Sequence, residues 1–439
     1  MKPAVASRLN ADQHGIVRER IDSDVLDLID RLIEAGFEAY LVGGCIRDLM
    51  LGMQPKDFDV ATSATPEAIK DLFRRSRMIG RRFKIAHVRY GRKVFEVTTF
   101  RKLHDVSDDE DRHEDTDGMI LRDNVYGTFE EDAFRRDFTV NALYYDVETE
   151  EVIDFVDGLK DMRNRTLRLI GEPVQRLQED PVRLLRAIRF QAKLGFDLDP
   201  PIVAATEAAA ERLSAIAPAR LFDETQKMLL SGYAGAVWQL IENTPIRAAL
   251  FPTTPPNTLL VTNAMRNTDA RIAQDKPVTP GFLLAVMLWD DYCARVSEYG
   301  EARNLAQARS DASFDALAQL REIMSIPRRF SQFAREVWML QPHLEARQKR
   351  RLSRLVAHPR FRAAYDFLVL RGECDESLAE PAKWWTDYQA NDGQANDGQA
   401  DDGQADDGQA NDGQVPELPI SASSGAPKRR RRRRKKTES

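Results

Sequence analysis

Two aspartates separated by one residue are the strongest chemical signal in this 439-residue sequence. The segment from Asp57 to Thr62 alternates in polarity, which predicts a β-strand. In a strand, residues i and i+2 point to the same side, about 6.5–7 Å apart, so the carboxylates of Asp57 and Asp59 can converge on divalent cations. Paired carboxylates suit Mg²⁺, a hard ion that prefers oxygen ligands and bridges to substrate phosphates.

A diglycine precedes these aspartates. Gly43 and Gly44 follow a predicted strand, Glu38 to Val42, and precede a short predicted helix that stops at Gly52. Glycine lets the backbone approach a phosphate closely, and the free N–H groups at a helix N-terminus attract that anion. Each motif alone is usually a turn or a solvated strand edge, but their order and separation favour a metal-dependent phosphate chemistry.

Arginines recur every three residues on a helix predicted from Pro181 to Leu194. They are Arg183, Arg186 and Arg189, and the segment around them up to Phe190 contains no acidic residue. An ordinary solvated face is the alternative interpretation. Three arginines without an acidic partner are better suited to contacts with phosphates and bases.

The motifs closely resemble the head signature of the nucleotidyltransferase superfamily that contains CCA-adding enzymes and bacterial poly(A) polymerases. That signature is matched by Leu41 to Gly52 (LVGGCIRDLMLG) and Lys56 to Val60 (KDFDV). Further along the chain, Arg135 to Leu143 (RRDFTVNAL) resembles the RRD motif, Glu179 to Arg186 (EDPVRLLR) the EDxxR motif, and Pro218 to Phe222 (PARLF) the start of the family's neck helix.

The resemblance implies a catalytic triad. The aspartate of the RRD motif, Asp137, would join Asp57 and Asp59 as the catalytic and metal-binding residues. Two Mg²⁺ ions, or Mn²⁺ in their place, would activate the RNA 3′-hydroxyl and neutralise the leaving pyrophosphate. Glu96 is a competing third ligand, because it lies in the middle of the predicted strand Lys93 to Phe100. Asp137 is preferred, since Glu96 can equally be a solvated surface residue.

The resemblance also implies a nucleotide-binding set for the substrate ATP. Its members are Gly43, Gly44, Arg47, Arg136, Asp180, Arg183, Arg186 and Arg189. Gly44, Arg47 and Arg136 would hold the triphosphate. Asp180 and Arg183 would read the adenine, and the remaining arginines would add positive charge along the nucleotide.

Other segments decide between members of the superfamily. Ile79 to Val88 (IGRRFKIAHV) resembles a mark of bacterial poly(A) polymerases, and Ile326 to Phe330, His358 to Tyr365 and Lys383 to Trp385 resemble their helical body. The predicted activity is template-independent transfer of AMP from ATP to RNA 3′ ends, a polyadenylation that promotes RNA decay. A tRNA CCA-adding enzyme and a non-catalytic RNA-binding adaptor are the alternatives.

The elements around the motifs predict an α/β nucleotidyltransferase head with a mixed sheet, an all-α neck and body, and a disordered basic C-terminal tail. The predicted bounds are 22–172 for the head, 173–251 for a neck that binds nucleotide and RNA, 252–389 for an RNA-binding body, and 390–439 for the linker and tail. Ala390 to Gln414 is five Ala-Asn/Asp-Asp-Gly-Gln pentads, which predict a disordered spacer. The acidic segment Lys102 to Asp117 predicts a mobile loop.

The formal net charge of −6 conceals a basic cluster near the C-terminus. The cluster consists of Lys428, Arg429, Arg430, Arg431, Arg432, Arg433, Arg434, Lys435 and Lys436. Behind a flexible spacer, such a run suits single-stranded RNA, because it neutralises phosphates without reading sequence. RNA 3′ ends are therefore an expected partner, and the resemblance to poly(A) polymerases implies RNA-degradation proteins as further partners.

Cysteine, histidine and hydropathy patterns narrow the class of protein further. Cys45, Cys293 and Cys374 are far apart, and no His or Cys spacing resembles a zinc site, so any metal should be held by oxygen. The longest apolar run, Phe282 to Trp289, is much shorter than the roughly 20 residues of a membrane span, and no signal peptide is recognisable. A soluble, cytoplasmic protein without a membrane partner is predicted.

Overall fold

The structure is a computed structural model that describes residues 6–80, 84–102, 113–114, 120–122, 125–347 and 352–397, with side chains described outside 103–124 and up to residue 390. The chain up to Thr386 forms one compact unit, and a second unit begins at Asp387. The first unit begins with an α/β head and continues as helices.

An eight-stranded mixed sheet is the centre of the head. The strands of the chain are β1 (Ser7–Leu9), β2 (Ala39–Val42), β3 (Asp59–Thr62), β4 (Ser76–Ile79), β5 (Ile85–Tyr90), β6 (Lys93–Thr99), β7 (His113–Glu114), β8 (Ile120–Arg122), β9 (Leu143–Asp146), β10 (Glu151–Asp154), β11 (Thr166–Leu167) and β12 (Asp197–Leu198). The large sheet has the order β1-β10-β9-β2-β3-β6-β5-β4. Its β3 and β6 pair in parallel, whereas its other neighbours are antiparallel.

Short helices connect these strands. They are α1 (Ala11–His14), α2 (Ser23–Glu34), α3 (Gly44–Met50), α4 (Pro66–Leu72), α5 (Phe129–Arg135) and α6 (Gly158–Asn164). As predicted, α4 begins with Thr65 as its N-cap, whose hydroxyl accepts a hydrogen bond from Ala68 N, and with Pro66 in its first turn. Because β1 pairs with β10, the sheet of the head begins well before residue 22, the predicted start.

The two faces of the sheet have different environments. Residues paired across neighbouring strands point to the same face, and the register places Val42 opposite both Asp59 and Tyr144. Val42 and Tyr144 belong to a buried cluster that includes Ala133 of α5. Asp59 of β3 therefore lies on the face that α5 covers, whereas the apolar side of α2 packs against β2.

The rest of the described chain is almost entirely helical, as predicted. Its helices are α7 (Pro173–Glu179), α8 (Val182–Leu194), α9 (Pro200–Ala204), α10 (Thr206–Glu211), α11 (Pro218–Leu229), α12 (Ala234–Ile241), α13 (Pro245–Leu250), α14 (Leu259–Ala273), α15 (Pro280–Met287), α16 (Trp289–Gly300), α17 (Leu305–Ile323), α18 (Arg328–Ala346), α19 (Leu352–Val356), α20 (Phe361–Gly372) and α21 (Ala379–Asp397). Gly195 ends α8 in the left-handed conformation with φ 63°. The indole of Trp338 is fully buried and donates to Ala285 O at 2.9 Å, so α18 and α15 are joined through the core.

Two sequence predictions about irregular segments need revision or fall outside the described residues. Helix α21 continues to Asp397, so the spacer predicted from Ala390 is helical over its first eight residues. Extending an existing helix fixes one residue per added hydrogen bond, which is much easier than starting a new one. The rest of the spacer, the basic tail and most of the acidic segment at 102–117 lie outside the described residues. Across the described ranges, no helix has the length and apolar character needed to cross a membrane.

Candidate active site

Asp57 and Asp59 lie on the same side of the chain at the start of β3. Phe58 and Val60 are buried, whereas Asp57 is exposed and Asp59 is half-buried. This alternation is the one expected of an extended segment. The carboxylates of Asp57 and Asp59 therefore lie on the same side of the chain, as their spacing predicted, with Asp57 two residues before the start of β3.

Glu96 is the carboxylate next to this pair. It lies on β6 directly opposite Asp59, and its Oε1 is 3.3 Å from Nε2 of His87 on β5. Burial raises the pKa of Asp59 to about 6, and the negative charges of Glu96 and Asp57 add to this effect against the opposing charges of Arg136 and Arg186. A carboxylate beside two others is stabilised in its ionised form by a cation.

The three carboxylates suit a divalent cation by their chemistry and by the face that they share. Oxygen ligands with excess negative charge are what Mg²⁺ requires. Among the residues with described side chains, no three acidic, histidine or cysteine groups are arranged so that they could hold a metal ion by themselves. A magnesium ion here would therefore be held by one or two carboxylates together with substrate phosphates.

Asp137 has different surroundings from those of the Asp57–Asp59 pair. Its Oδ2 accepts from Arg186 Nε at 2.6 Å, and its Oδ1 accepts from Phe138 N at 2.8 Å and from Asn141 Nδ2 at 3.3 Å. Burial opposes ionisation, but Arg186 together with these donors lowers the pKa of Asp137 to about 2. Asp137 is thus paired with Arg186. Glu96, which the sequence analysis ranked below Asp137 as a third metal ligand, lies beside Asp59.

The diglycine turn brings an arginine of the RRD motif close to α3. Gly43 has φ 85°, which side chains rarely adopt, and a Cβ built there would be 3.8 Å from Nη1 of Arg136. The Arg136 guanidinium donates to Asp132 Oδ2 at 2.8 Å and to Tyr144 OH at 2.9 Å. Asp132 and Tyr144 therefore fix Arg136 beside the backbone that was predicted to receive the phosphates, and Gly44 starts α3 next to it.

Arg47 occupies an internal position. It is 2% exposed and donates to Asp48 Oδ1 at 2.6 Å and to the side chain of Asn141. Lys193 of α8 reaches the other oxygen of Asp48 at 2.7 Å. These contacts hold Arg47 between the turn and Asn141, and its predicted contact with the triphosphate stays a prediction.

The EDxxR residues are likewise held by protein partners. Asp180 accepts a bidentate pair of hydrogen bonds from Arg220 of α11, at 2.9 and 2.8 Å. Arg183 is buried and donates to Arg176 O and to Glu179 Oε2. The structure therefore adds Arg220 to the Asp180 site. Its only sequence signal was the short match at the start of the neck helix.

The three arginines predicted to share one face of α8 have two different environments. Arg183 points into the contact with α7, whereas Arg186 and Arg189 are half-buried on the side of the carboxylates. Burial lowers the pKa of Arg189, and the like charge of Arg186 lowers it further. The guanidinium carbons of Arg186 and Arg189 lie 5.4 and 5.1 Å from the ring centre of Phe190, a residue that the sequence did not single out. Crowded positive charge of this kind suits a polyanionic ligand.

Comparisons with known proteins agree with this geometry along the chain. The family model described as "Poly A polymerase head domain" matches residues 39–168, "Probable RNA and SrmB-binding site of polymerase A" matches 195–256, and "Polymerase A arginine-rich C-terminus" matches 301–436. Poly(A) polymerase I of Escherichia coli is 42% identical over 395 residues, which span 87% of this chain and 85% of that protein. The chain belongs to the poly(A) polymerase I family.

The poly(A) polymerase I of Haemophilus influenzae is 41% identical and spans 88% of both chains. By contrast, the CCA-adding enzyme of Streptococcus suis is 37% identical over 48% of this chain and 50% of that enzyme. The predicted family and the predicted template-independent adenylyltransferase activity are confirmed.

Solved structures support the fold. The Bacillus stearothermophilus CCA-adding enzyme in complex with CTP matches with a TM-score of 0.55 and 26% identity, over 82% of this chain and 81% of that one. The Thermotoga maritima CCA-adding enzyme complexed with tRNA matches with a TM-score of 0.53 and 20% identity, over 85% and 81% of the two chains. This poly(A) polymerase family member therefore has the head-and-helices architecture of CCA-adding enzymes, as predicted.

Proposed function

We propose that Asp57, Asp59 and Glu96 hold the divalent cations with which this chain transfers AMP from ATP to RNA 3′ ends. The observation that carries the proposal is that Asp59 and Glu96 are paired across β3 and β6 with Asp57 two residues before Asp59, and that burial together with the charges of Glu96 and Asp57 raises the pKa of Asp59 to about 6. When bound, Mg²⁺ or Mn²⁺ would supply activation of the 3′-hydroxyl and charge neutralisation of the leaving pyrophosphate.

Asp137 has a positioning role in this proposal. Its ionised carboxylate holds Arg186 through Nε and Nη2, and the charge of Arg186 also reaches Asp59. Arg186 would thereby be directed toward the phosphates of ATP, with Arg136, whose charge also acts on Asp59, and Arg189 adding positive charge. Gly43 and Gly44 supply the backbone next to Arg136.

Recognition of the base is assigned to Asp180 and Arg183, with Arg220 as a third participant. Arg220 fixes the orientation of the Asp180 carboxylate through two hydrogen bonds. Carboxylates and guanidinium groups discriminate bases by the donors and acceptors on the base edge. These residues lie at the start of α8 and on α11, so adenine would be read between the head and the neck helix.

The carboxylates give the direct test. Asp57→Asn and Asp59→Asn should each lower kcat by at least about 10³-fold, because metal catalysis contributes several kcal/mol to the barrier. Glu96→Gln should lower kcat to the same extent, and the activity that remains should require a higher Mg²⁺ concentration.

Asp137→Asn should instead raise the KM for ATP more than it lowers kcat, since it loosens Arg186. Primer extension at several ATP and Mg²⁺ concentrations measures all four variants.

Glu67→Gln on α4 is the matched control, because Glu67 is an exposed glutamate that makes no ion pair among the described residues. An active Glu96→Gln enzyme combined with an inactive Asp137→Asn enzyme of normal thermal stability would restore Asp137 as the third metal ligand.

The cellular role follows from the same activity. The chain would tail RNA in the cytoplasm, promote its decay, and meet RNA-degradation proteins through the helical region at 195–256, whose family model names an RNA- and protein-binding site. Solved relatives in complex with tRNA or with a primer and an ATP analogue support RNA and ATP as ligands of this architecture. RNA half-lives can be compared between cells with and without the protein. If transcripts that lose their tails in cells without the protein decay at the same rate as in normal cells, this role is wrong.

A further inference from the structure

An open cavity of about 890 Å³ lies in the helical body, away from the carboxylates described above. Its wall is formed by α17, α18 and the segment before α20. Arginine and histidine predominate among the polar residues of this wall, and the wall residues used below are Phe314, Arg321, Arg328, Arg335 and Glu336. We call it the body cleft.

The body cleft has positive charge without matching negative charge. Arg321 and Arg328 are exposed, and within the described part of the chain neither side chain has an ion pair or hydrogen bond. The acidic wall residue, Glu336, already accepts from Arg360 Nε at 2.8 Å. Burial and the nearby charge of Arg321 lower the pKa of Arg335. An anion in the cleft would relieve this repulsion.

An aromatic platform lies beside these charges. Phe314 is 47% exposed, and the Arg335 guanidinium carbon is 3.3 Å from the centre of its ring. Nε of Arg335 donates to Ser313 Oγ at 3.0 Å, so the guanidinium is held in place over the ring. Exposed aromatic rings combined with arginines are the elements on which nucleobases stack.

The body cleft also adjoins the helix that borders the nucleotide site. Ser325 and Phe330 lie in the segment that also supplies wall residues of the cleft. Ser325 N donates to Pro218 O at 3.0 Å, and the ring of Phe330 is 6.0 Å from that of Phe222. Both partners belong to α11, the helix whose Arg220 holds Asp180. An RNA strand that leaves the active site along α11 would therefore reach the body cleft.

We propose that the body cleft binds single-stranded RNA on the 5′ side of the reacting end. Arg321 and Arg328 contact its phosphates, and Phe314 with Arg335 stacks one of its bases. The inference rests on the proposed adenylyl transfer to RNA and adds a second RNA contact, remote from the chemistry. If the inference is right, long primers contact the body cleft, whereas primers that are too short to reach it bind without this contact.

The experiment compares oligo(A) primers of about 3 and about 20 nucleotides in steady-state extension with ATP. Phe314→Ala should raise the KM for the long primer at least about fivefold, the lower limit for loss of one stacked base. Arg321→Ala with Arg328→Ala should also flatten the dependence of log affinity on log salt by about 1.4, two phosphates at 0.7 each. Neither change should alter kcat, the KM for ATP or the KM for the short primer.

Arg163→Ala with Arg354→Ala is the matched control, since it removes two exposed arginines that lie outside the cleft. An unchanged long-primer KM in both cleft variants would overturn the inference. So would equal losses with both primers, or a raised KM for ATP, which would identify the cleft as a nucleotide site. Failure of the wild-type protein to extend either primer would instead contradict the proposed function.

Discussion

At the scale of single residues, long-range contacts decide what each charged side chain of the motifs can do. Asp57 and Asp59 were predictable because their relation is local, two positions apart on a strand. The partners of Arg47, Asp137 and Asp180 were not, since they come from segments about 40 to 94 positions away in the chain. From the sequence alone, an arginine in a motif cannot be distinguished from one that is free to bind a ligand. Its hydrogen-bond partners become known only from the tertiary structure.

Asp132 provides a residue-scale prediction with a pH dependence. Burial opposes its ionisation, but Arg136, Arg135 and Tyr144 lower its pKa from 3.8 to about 2. A lowered pKa in the folded state stabilises the fold above about pH 4, and this contribution is lost as the pH falls toward 2. Asp132→Asn should therefore reduce the free energy of unfolding by about 3–5 kcal/mol at pH 7, as for a broken buried ion pair.

Urea unfolding of both proteins between pH 7 and pH 3 measures this difference. The gap between wild type and Asp132→Asn should narrow at the acid end, whereas Asp30→Asn, at an exposed position without a described partner, should show no gap. A gap that is the same at every pH would mean that the loss comes from packing instead of charge.

At the scale of elements, local signals predicted most of the head. Thr65 and Pro66 placed the start of α4, and Gly195 placed the end of α8, because caps act within one turn. The addition of β1 to the sheet was missed, since a three-residue strand has too little pattern and depends on pairing with β10, more than 140 positions away. The extension of α21 into the pentads was missed for the opposite reason, because composition alone does not show that a helix has already begun.

The turn between β2 and α3 supports an element-scale prediction. Gly43 has φ 85° and ψ −134°, a conformation that costs other residues of order 1–3 kcal/mol. Gly44, the next residue, is helical and has no positive φ. Gly43→Ala should therefore lower the free energy of unfolding by about 1–3 kcal/mol and displace the backbone beside Arg136, raising the KM for ATP. Gly44→Ala is the adjacent control and should be much less destabilising, so equal losses in denaturant unfolding would refute the assignment of strain to Gly43.

At the scale of the whole molecule, three segments with different functions are proposed to contact RNA. The head carries the carboxylates, the body cleft carries arginines and an exposed ring, and the basic run from Lys428 to Lys436 follows the spacer. The tail lies outside the described residues, so its role stays a prediction from charge. Tethering a cationic segment to a catalytic unit raises the local RNA concentration without adding sequence preference.

Truncation after Asp397 tests the tail while keeping all of α21. Loss of nine basic residues should reduce the slope of log RNA affinity against log salt by at most about 6, with kcat at saturating RNA preserved. Binding titrations at several salt concentrations measure the slope. The same slope in the truncated and full-length chains would show that the basic run contributes no phosphate contacts.

The most direct test of the central claim is extension of a generic RNA primer with each of the four nucleotides supplied separately and then together. A poly(A) polymerase should give long products with ATP alone and little extension with each of the other nucleotides. Asp180→Ala and Arg183→Ala should weaken this preference for ATP more than they weaken RNA binding. Products that stop after the addition of C, C and A when all four nucleotides are present, with no long tail from ATP alone, would contradict it.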